Sequence, residues 1–258
     1  MVKEKWCKTA LSPSKLPGIM YSLNPYLGCY HGCKYCYVPN VLHVERKKWE
    51  DVHVKVNIPM VLRKELKTKK KGIVGISTAT DPYQPLEKEY EITRKCLLLL
   101  LKHDFPIDIQ TKSDLVLRDI DLIKKFRNAA VGITITTLDE KERKLLEPNA
   151  PSIQKRLDAI KKLSNEGIYS YIFFGPIFPT IEKEQLNLYV DVFKKAGAKE
   201  IMIDSLHLKK DTWESISSVL PEEKKKIFRE RLFGNYYREV FNEMERICKD
   251  KITLTRAF

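Results

Sequence analysis

The chain has 258 residues, 43% of them hydrophobic, which is enough for one large core. Its 47 Lys and Arg outnumber 34 Asp and Glu, and the net charge of +13 attracts polyanions such as tRNA or DNA. The longest purely apolar run, Cys96 to Leu101, is far too short to span a bilayer, and the polar start Met1 to Pro13 carries no signal-peptide core, so a membrane role is excluded and a cytoplasmic location is expected. Part of the basic excess lies in runs such as Lys67 to Lys71 and Lys224 to Lys226, which also suit a solvated face, and richness in both Lys and Glu also fits a thermophile. Six cysteines in a reducing compartment favour metal ligation over disulfides.

In chain order, residues 1–20 read as an N-terminal arm broken by Pro13 and Pro17, with Trp6 and Cys7 expected to dock on the core. Tyr21 to Asn24 reads as a first strand, and Val38 to Asn57 as irregular apart from the alternating Val52 to Val56. Pro59 opens a helix to Lys69. Gly72 to Ser77 is a buried second strand, followed by a hydroxyl-rich loop and a helix from Lys88 to Lys102 whose apolar stripe includes Cys96. Pro106 to Thr111, Ala130 to Thr136, Ile168 to Phe174 and Glu200 to Asp204 supply four more strands. The helices between them are expected at Leu115 to Arg127, Asp139 to Leu146, Ser152 to Glu166 and Glu182 to Ala196. Pro221 to Asp250 reads as one or two helices, whose interleaved basic and aromatic residues either grip a nucleic acid or pack on the core. Strands that alternate with helices give right-handed βα repeats and one parallel sheet.

One stretch stands apart. Cys29, Cys33 and Cys36 follow the spacing C-x3-C-x2-C in a loop bracketed by Gly28 and Gly32, so three thiolates can turn toward one site. Soft thiolates take zinc or an iron–sulfur cluster. A zinc site closed by His31 or Cys7 is one reading. The other is a cubane with three protein ligands, whose fourth iron is open to a non-protein ligand.

That spacing, with Tyr35 just before Cys36, resembles the radical S-adenosylmethionine (SAM) enzymes. Lys15-Leu16-Pro17-Gly18, Asn24-Pro25-Tyr26 and Gly28-Cys29-x-His31-Gly32-Cys33-x-Tyr35-Cys36-Tyr37 look like the subgroup related to spore photoproduct lyase, as do Leu146-Glu147-Pro148 and Arg156-Leu157. The resemblance implies an α/β fold, a partial (β/α)6 TIM-like barrel with a curved parallel sheet, plus the N-terminal arm and C-terminal helices. It implies one radical SAM domain over 1–258, with the arm at 1–20, the barrel at 21–205 and a helical extension at 206–258. It further implies a [4Fe-4S] cluster on Cys29, Cys33 and Cys36, with SAM on the open iron. SAM would be held by Tyr35, Ser77, Thr78, Asp81, Lys112 and Ser113, with Arg118 and Asp119 near its carboxylate and ribose. An external electron donor of flavodoxin or ferredoxin type would complete the system.

The activity implied is reductive cleavage of SAM to a 5′-deoxyadenosyl radical that abstracts hydrogen from a substrate. One candidate substrate is a nucleic acid, modified or repaired; the alternatives are the same chemistry on a protein or small metabolite, and a non-enzymatic zinc module that binds nucleic acid. Spore photoproduct lyase places a hydrogen-donating cysteine in the loop after its second strand; here Ser77 to Asp81 has none, which leaves Tyr83 and Cys96 as candidate donors. Glu147 and Arg156 either face the site or pin their loop, and His207 is a candidate substrate contact. Cys248 has no near partner in sequence.

Overall fold

The structure, a computed structural model, describes residues 3–257. An eight-stranded sheet forms its centre: β1 (Ser12–Pro13), β2 (Tyr21–Leu23), β3 (Val74–Ile76), β4 (Ile107–Thr111), β5 (Ala129–Thr134), β6 (Tyr169–Phe174), β7 (Glu200–Ile203) and β8 (Thr253–Arg256). The strands lie side by side in chain order, and every neighbouring pair from β2 to β8 is parallel. Only β1 is antiparallel, and β1 and β8 leave the sheet open at its two edges. The six expected strands are therefore present, and a seventh parallel strand, β8, is added. Its sequence Thr-Leu-Thr-Arg lies on an edge with no fully buried residue, so no apolar run marks it.

Strand periodicity explains what each face carries. In β4, Ile107, Ile109 and Thr111 are buried, while the alternate residues Asp108 and Gln110 line a cavity on the inner face of the curved sheet. On β5 the inward position is Gly132, and the Tyr171 ring of β6 fills the space above it: a Cβ there would stand 2.3 Å from the ring. The outer face is covered by amphipathic helices such as Ile92–Lys102, Ile153–Asn165 and Leu186–Lys195, which join the strands in one continuous apolar cluster.

Several local expectations are corrected. Lys88 to Lys102 is two helices, Glu87–Tyr90 and Ile92–Lys102, separated at Glu91 in the left-handed region (φ 50). Leu115 to Arg127 is a 3-10 segment, Asp114–Asp119, followed by one helical turn, Ile120–Ile123. Fully buried Asp119 accepts from Tyr83, Arg94 and Arg118, which ties this stretch down by side chains. The segment 38–57 contains short helices Val38–Val41 and Arg46–Trp49. Within it, the strand His53–Lys55 joins Lys3–Lys5 and Tyr26–Leu27 in a small second sheet. Trp6 does not dock on the core; it is 73% exposed, whereas Cys7 packs against the core.

Of the aromatics in 221–250, Phe228 and Tyr236 are buried, Tyr237 and Phe241 pack on the core, and Phe233 is open, at 84%. The hydroxyl of Tyr236 donates to the carbonyls of Phe178 and Ile181, and that of Tyr237 to Ile177. These residues clamp the turn after β6. Cys248 is buried at the end of the last helix, Tyr236–Cys248. Among the described residues no helix is long and apolar enough to cross a membrane.

The seat of Tyr171 over Gly132 gives the first prediction. Gly132→Ala should cost about 1–3 kcal/mol of stability by overpacking, read as a lower denaturation midpoint, and Tyr171→Ala in the same chain should restore part of the loss.

Candidate functional site

The C-terminal ends of the parallel strands open on a cavity of about 320 Å³. In α/β barrels the loops at this end carry the chemistry. Cys29, Cys33 and Cys36 all line it, together with Tyr35, Ser77, Thr78, Asp81 and Lys112, so eight of the nine expected cluster and SAM residues meet in one space. All three thiols are free.

The cysteine loop is held from four sides. Gly28 has φ +87, and a Cβ there would stand 2.7 Å from the Trp49 carbonyl oxygen and 2.8 Å from that of Asp51, so only glycine fits. The Cys29 amide donates to the Trp49 carbonyl (2.9 Å), and the Tyr30 amide to Oε1 of buried Gln84 (3.0 Å). The Lys34 amide donates to the Leu146 carbonyl (2.8 Å), and Asn149 Nδ2 to the Tyr30 carbonyl (2.9 Å). Arg46 donates to the Cys36 carbonyl (2.8 Å).

Beneath the loop lies a fully buried ion pair, Glu147 with Arg156. Glu147 also accepts from the Tyr35 hydroxyl and from Thr136 (3.1 Å), while Arg156 donates to the carbonyls of Pro151 (2.9 Å) and Thr134 (3.1 Å). Burial alone would raise the Glu147 carboxyl. The Arg156 guanidinium and Lys112 ammonium, with the Tyr35 hydroxyl, outweigh it and hold the group down to about 2. Glu147 and Arg156 thus pin the loop, and neither lines the cavity.

Asp81 plays a similar part on the other side. It accepts from Thr111 Oγ1 (2.7 Å), the Lys112 amide (2.8 Å) and the Tyr83 amide (2.9 Å). His31 Nε2 stands 2.9 Å from it as an ion-pair contact without the alignment of a hydrogen bond. Against the rise that burial imposes, His31 and these donors bring Asp81 to about 2. Thr78 donates to Ser22 (2.9 Å). Ser77 has φ 61, uncommon for a non-glycine residue, and its hydroxyl is buried without a partner. Lys112 makes no ion pair among the described residues, and its ammonium stands 5.7 Å from the centre of the Tyr35 ring.

Other expected residues lie elsewhere. Ser113 does not line the cavity; its hydroxyl caps the following 3-10 turn by accepting from the Leu115 amide (3.2 Å). Arg118 and Asp119 also lie off the cavity, in a network with Glu87 and Arg94. Tyr83 donates to Asp119 (3.1 Å) and is buried, and Cys96 is a core residue of its helix; neither lines the cavity. His207 does line it, with Nε2 3.1 Å from Asp204 Oδ1.

Asp108 and Gln110 on the inner face, and Gln84 against the cysteine loop, went unread in the sequence. Asp108 accepts from the Tyr171 hydroxyl (2.8 Å), and burial raises it to about 6 against that hydrogen bond. Gln110 shares its face. The alternation Ile-Asp-Ile-Gln of β4 was the available signal. For Gln84 there was none.

Eight buried side-chain polar atoms make no hydrogen bond among the described residues, and five of them surround this loop and cavity without an ion-pair contact either: His31 Nδ1, Arg46 Nε, Trp49 Nε1, Ser77 Oγ and Thr80 Oγ1. Native proteins leave few such atoms, so their concentration marks a place built to receive something. No three His, Cys, Asp or Glu side chains among the described residues converge closely enough to hold a single ion. His31 faces Asp81. Three cysteines around one cavity suit a larger cluster that takes a ligand at each of several corners. Burial pushes the Cys33 thiol up to about 12 against the pull of Lys112, a balance that a bound cation reverses because the thiolate is the ligand.

The sequence profile of the radical SAM superfamily matches residues 23–193. The chain belongs to the radical SAM superfamily. Radical SAM proteins are enzymes, and this one is similar to an uncharacterised protein of Methanocaldococcus jannaschii, 41% identical over 177 residues. That match covers 67% of this chain and 66% of the relative. It is 30% identical over 242 residues to an uncharacterised protein of Acidianus two-tailed virus, covering 86% of this chain and 79% of that one. It is 29% identical over 159 residues to a radical SAM Nalpha-GlyT isomerase of Pseudomonas phage M6, covering 61% of this chain and 33% of that one. Among solved structures, spore photoproduct lyase with a dinucleoside spore photoproduct shares the fold: TM-score 0.75 at 16% identity, over 99% of this chain and 81% of that one. The partial barrel expected for radical SAM proteins is thus the observed fold.

Two predictions follow from the buried pair. Glu147→Leu should cost about 3–5 kcal/mol because it strands a buried guanidinium, and adding Arg156→Met should recover much of that loss in denaturant titration. Glu147 has a depressed folded-state pKa, so its contribution is complete above its ordinary value of 4.5 and is lost as pH falls through about 2. Between these limits the melting temperature of the iron-free wild type should fall more steeply than that of Glu147→Gln.

Proposed function

We propose that Cys29, Cys33 and Cys36 hold a [4Fe-4S] cluster, that SAM occupies the adjoining cavity, and that the substrate is a nucleic acid. The observation that carries the cofactor reading is the ring of orphaned polar atoms around three free thiols on one cavity. The bound pair supplies a one-electron cleavage of the sulfonium that leaves a carbon radical able to take hydrogen from a substrate.

This chain's own residues bind, orient and seal. Lys112 offers an unpaired ammonium suited to the SAM carboxylate as a point charge. The hydroxyls of Ser77 and Thr80 are free for the polar end of SAM. Tyr35, fixed through Glu147, presents its ring on the same cavity. Asp81 and Ser113 act one step back: Asp81 fixes the Lys112 amide, and Ser113 caps the turn that follows. The buried walls exclude water from the reacting atoms. A flavodoxin- or ferredoxin-like protein in a reducing cytoplasm would supply the electron.

Two features support nucleic acid as substrate. The net charge is +13. The fold neighbour spore photoproduct lyase is bound to a dinucleoside.

The test is direct. After anaerobic reconstitution with iron and sulfide, dithionite plus SAM should yield 5′-deoxyadenosine, and Cys33→Ala should reduce it to background. Lys112→Met should raise KM for SAM about 10-fold or more, the scale of one lost charged contact, with a smaller effect on kcat. Binding of tRNA or duplex DNA, followed by anisotropy, should weaken steeply with salt; affinity that is absent at low salt contradicts the nucleic-acid assignment while leaving SAM cleavage intact.

A further inference from the structure

Two polar side chains that line the cavity have hydrogen-bonding atoms left over. Asp108 and Gln110 are two residues apart on β4, so both face inward, roughly 7 Å from each other along the strand. Lys112 follows just past the end of the same strand. Asp108 Oδ1 accepts from the Tyr171 hydroxyl at 2.8 Å, and its Oδ2 makes no hydrogen bond or ion pair among the described residues. The Gln110 side chain makes none among them either, although it lines the cavity. Glu200 on β7 shows what a purely structural carboxylate looks like here. It does not line the cavity, and both its oxygens are taken, Oε2 by the Tyr169 hydroxyl (2.6 Å) and Oε1 by Thr255 (2.5 Å).

The chemistry of this end of the cavity narrows what fits it. Burial raises the Asp108 carboxyl to about 6; above that pH it is ionised and only accepts. Gln110 both donates and accepts. Tyr171, Phe173 and Met202 form the wall beside them. A ligand here needs an apolar face and an edge that carries an N–H. A phosphate is disfavoured: Asp81, Asp108 and Asp204 line the cavity against Lys112 and Arg256, and Arg256 is paired with Glu245 at 2.6 Å. The surplus charge of +13 therefore acts on phosphates outside the cavity. A nucleobase has the required combination, a face that stacks on aromatic rings and an edge that carboxylates and amides can read.

We propose that Asp108 and Gln110 are specificity-determining residues that read the edge of one unstacked nucleobase inserted into the barrel, with its phosphates left on the exterior. This rests on the nucleic-acid reading above. Asp108 Oδ2 accepts an N–H of the base, and Gln110 meets a neighbouring donor or acceptor. Tyr171 steadies the carboxylate through Oδ1, and its own ring is seated over Gly132. A base stacked in a duplex cannot reach this depth, so the nucleotide enters single-stranded or flipped out.

The test uses abasic deoxyribose-phosphate decamers of equal charge that carry one of the four bases at the centre, or none. Binding to the anaerobically reconstituted protein, with SAM and no reductant, is followed by anisotropy at low salt. Wild type should bind at least one base-bearing strand about 10-fold or more tighter than the baseless one, the scale of one good base contact. Asp108→Asn keeps an acceptor for Tyr171 and replaces the free acceptor by a donor; Gln110→Leu removes the amide. Both should bind the baseless strand as wild type does and lose most of the preference. Equal binding of all five strands by wild type, or a preference left unchanged in a folded variant, overturns the inference. If the variants fail to fold, wild-type protein decides it: a decamer with a central 4-thiothymine should photo-crosslink within 107–111 or 169–174. No crosslink, or crosslinks confined to other segments, overturns it. Absence of binding to every strand overturns the nucleic-acid reading instead, and this proposal falls with it.

Discussion

A single buried carboxylate governs how this molecule is put together. Glu147 lies where water cannot reach it, so it must be paired, and Arg156 pairs it. Arg156 is in turn fixed by two backbone carbonyls, one of them from β5. Through the Tyr35 hydroxyl, Glu147 then reaches the middle of the cysteine loop. A glycine-bracketed loop has little intrinsic order, and here its shape is borrowed from the barrel wall through this chain of contacts. Buried ion pairs add little net stability compared with apolar packing, but they fix one arrangement among many. A loop that must hold three sulfurs in register needs that kind of fixing.

The opposite wall is built on the same logic. Asp81 ties the loop after β3 to the end of β4 by accepting from Thr111 and the Lys112 amide. Its charge is spent on the scaffold, which leaves the Lys112 ammonium free toward the cavity. Glu147 thus sits behind the wall, while the Lys112 ammonium and the Ser77 and Thr80 hydroxyls reach the cavity. Several family-like words in the sequence serve this hidden frame rather than the cavity surface. Arg118-Asp119 is the plainest case, locked to Glu87 and Arg94 away from the cavity.

Much of this was legible in the sequence, for physical reasons that differ by element. The six inner strands were readable because a sheet covered by helices needs apolar strands bounded by turns, as in Gly72 to Ser77. That the three cysteines and Lys112 meet at one cavity was readable from their spacing and their position after strands. What escaped lacked a local signal. Strand β8 is an edge strand with a polar sequence, and its pairing is set by β7, about fifty residues earlier. Gln84 and Trp49 matter because of which backbone groups they meet, and those partners are distant in sequence. Tyr83 and Cys96 looked available for chemistry by residue type alone, and packing buries both away from the cavity.

The central claim is that the cysteine loop leaves one iron of a cubane for SAM to complete. Low-temperature EPR of the reconstituted, reduced protein tests it most directly. The account predicts a [4Fe-4S]+ signal whose g-values shift when SAM is added, with Lys112→Met requiring more SAM for the same shift. A protein that binds one zinc and gives no such signal, or a cluster signal indifferent to SAM, would contradict it.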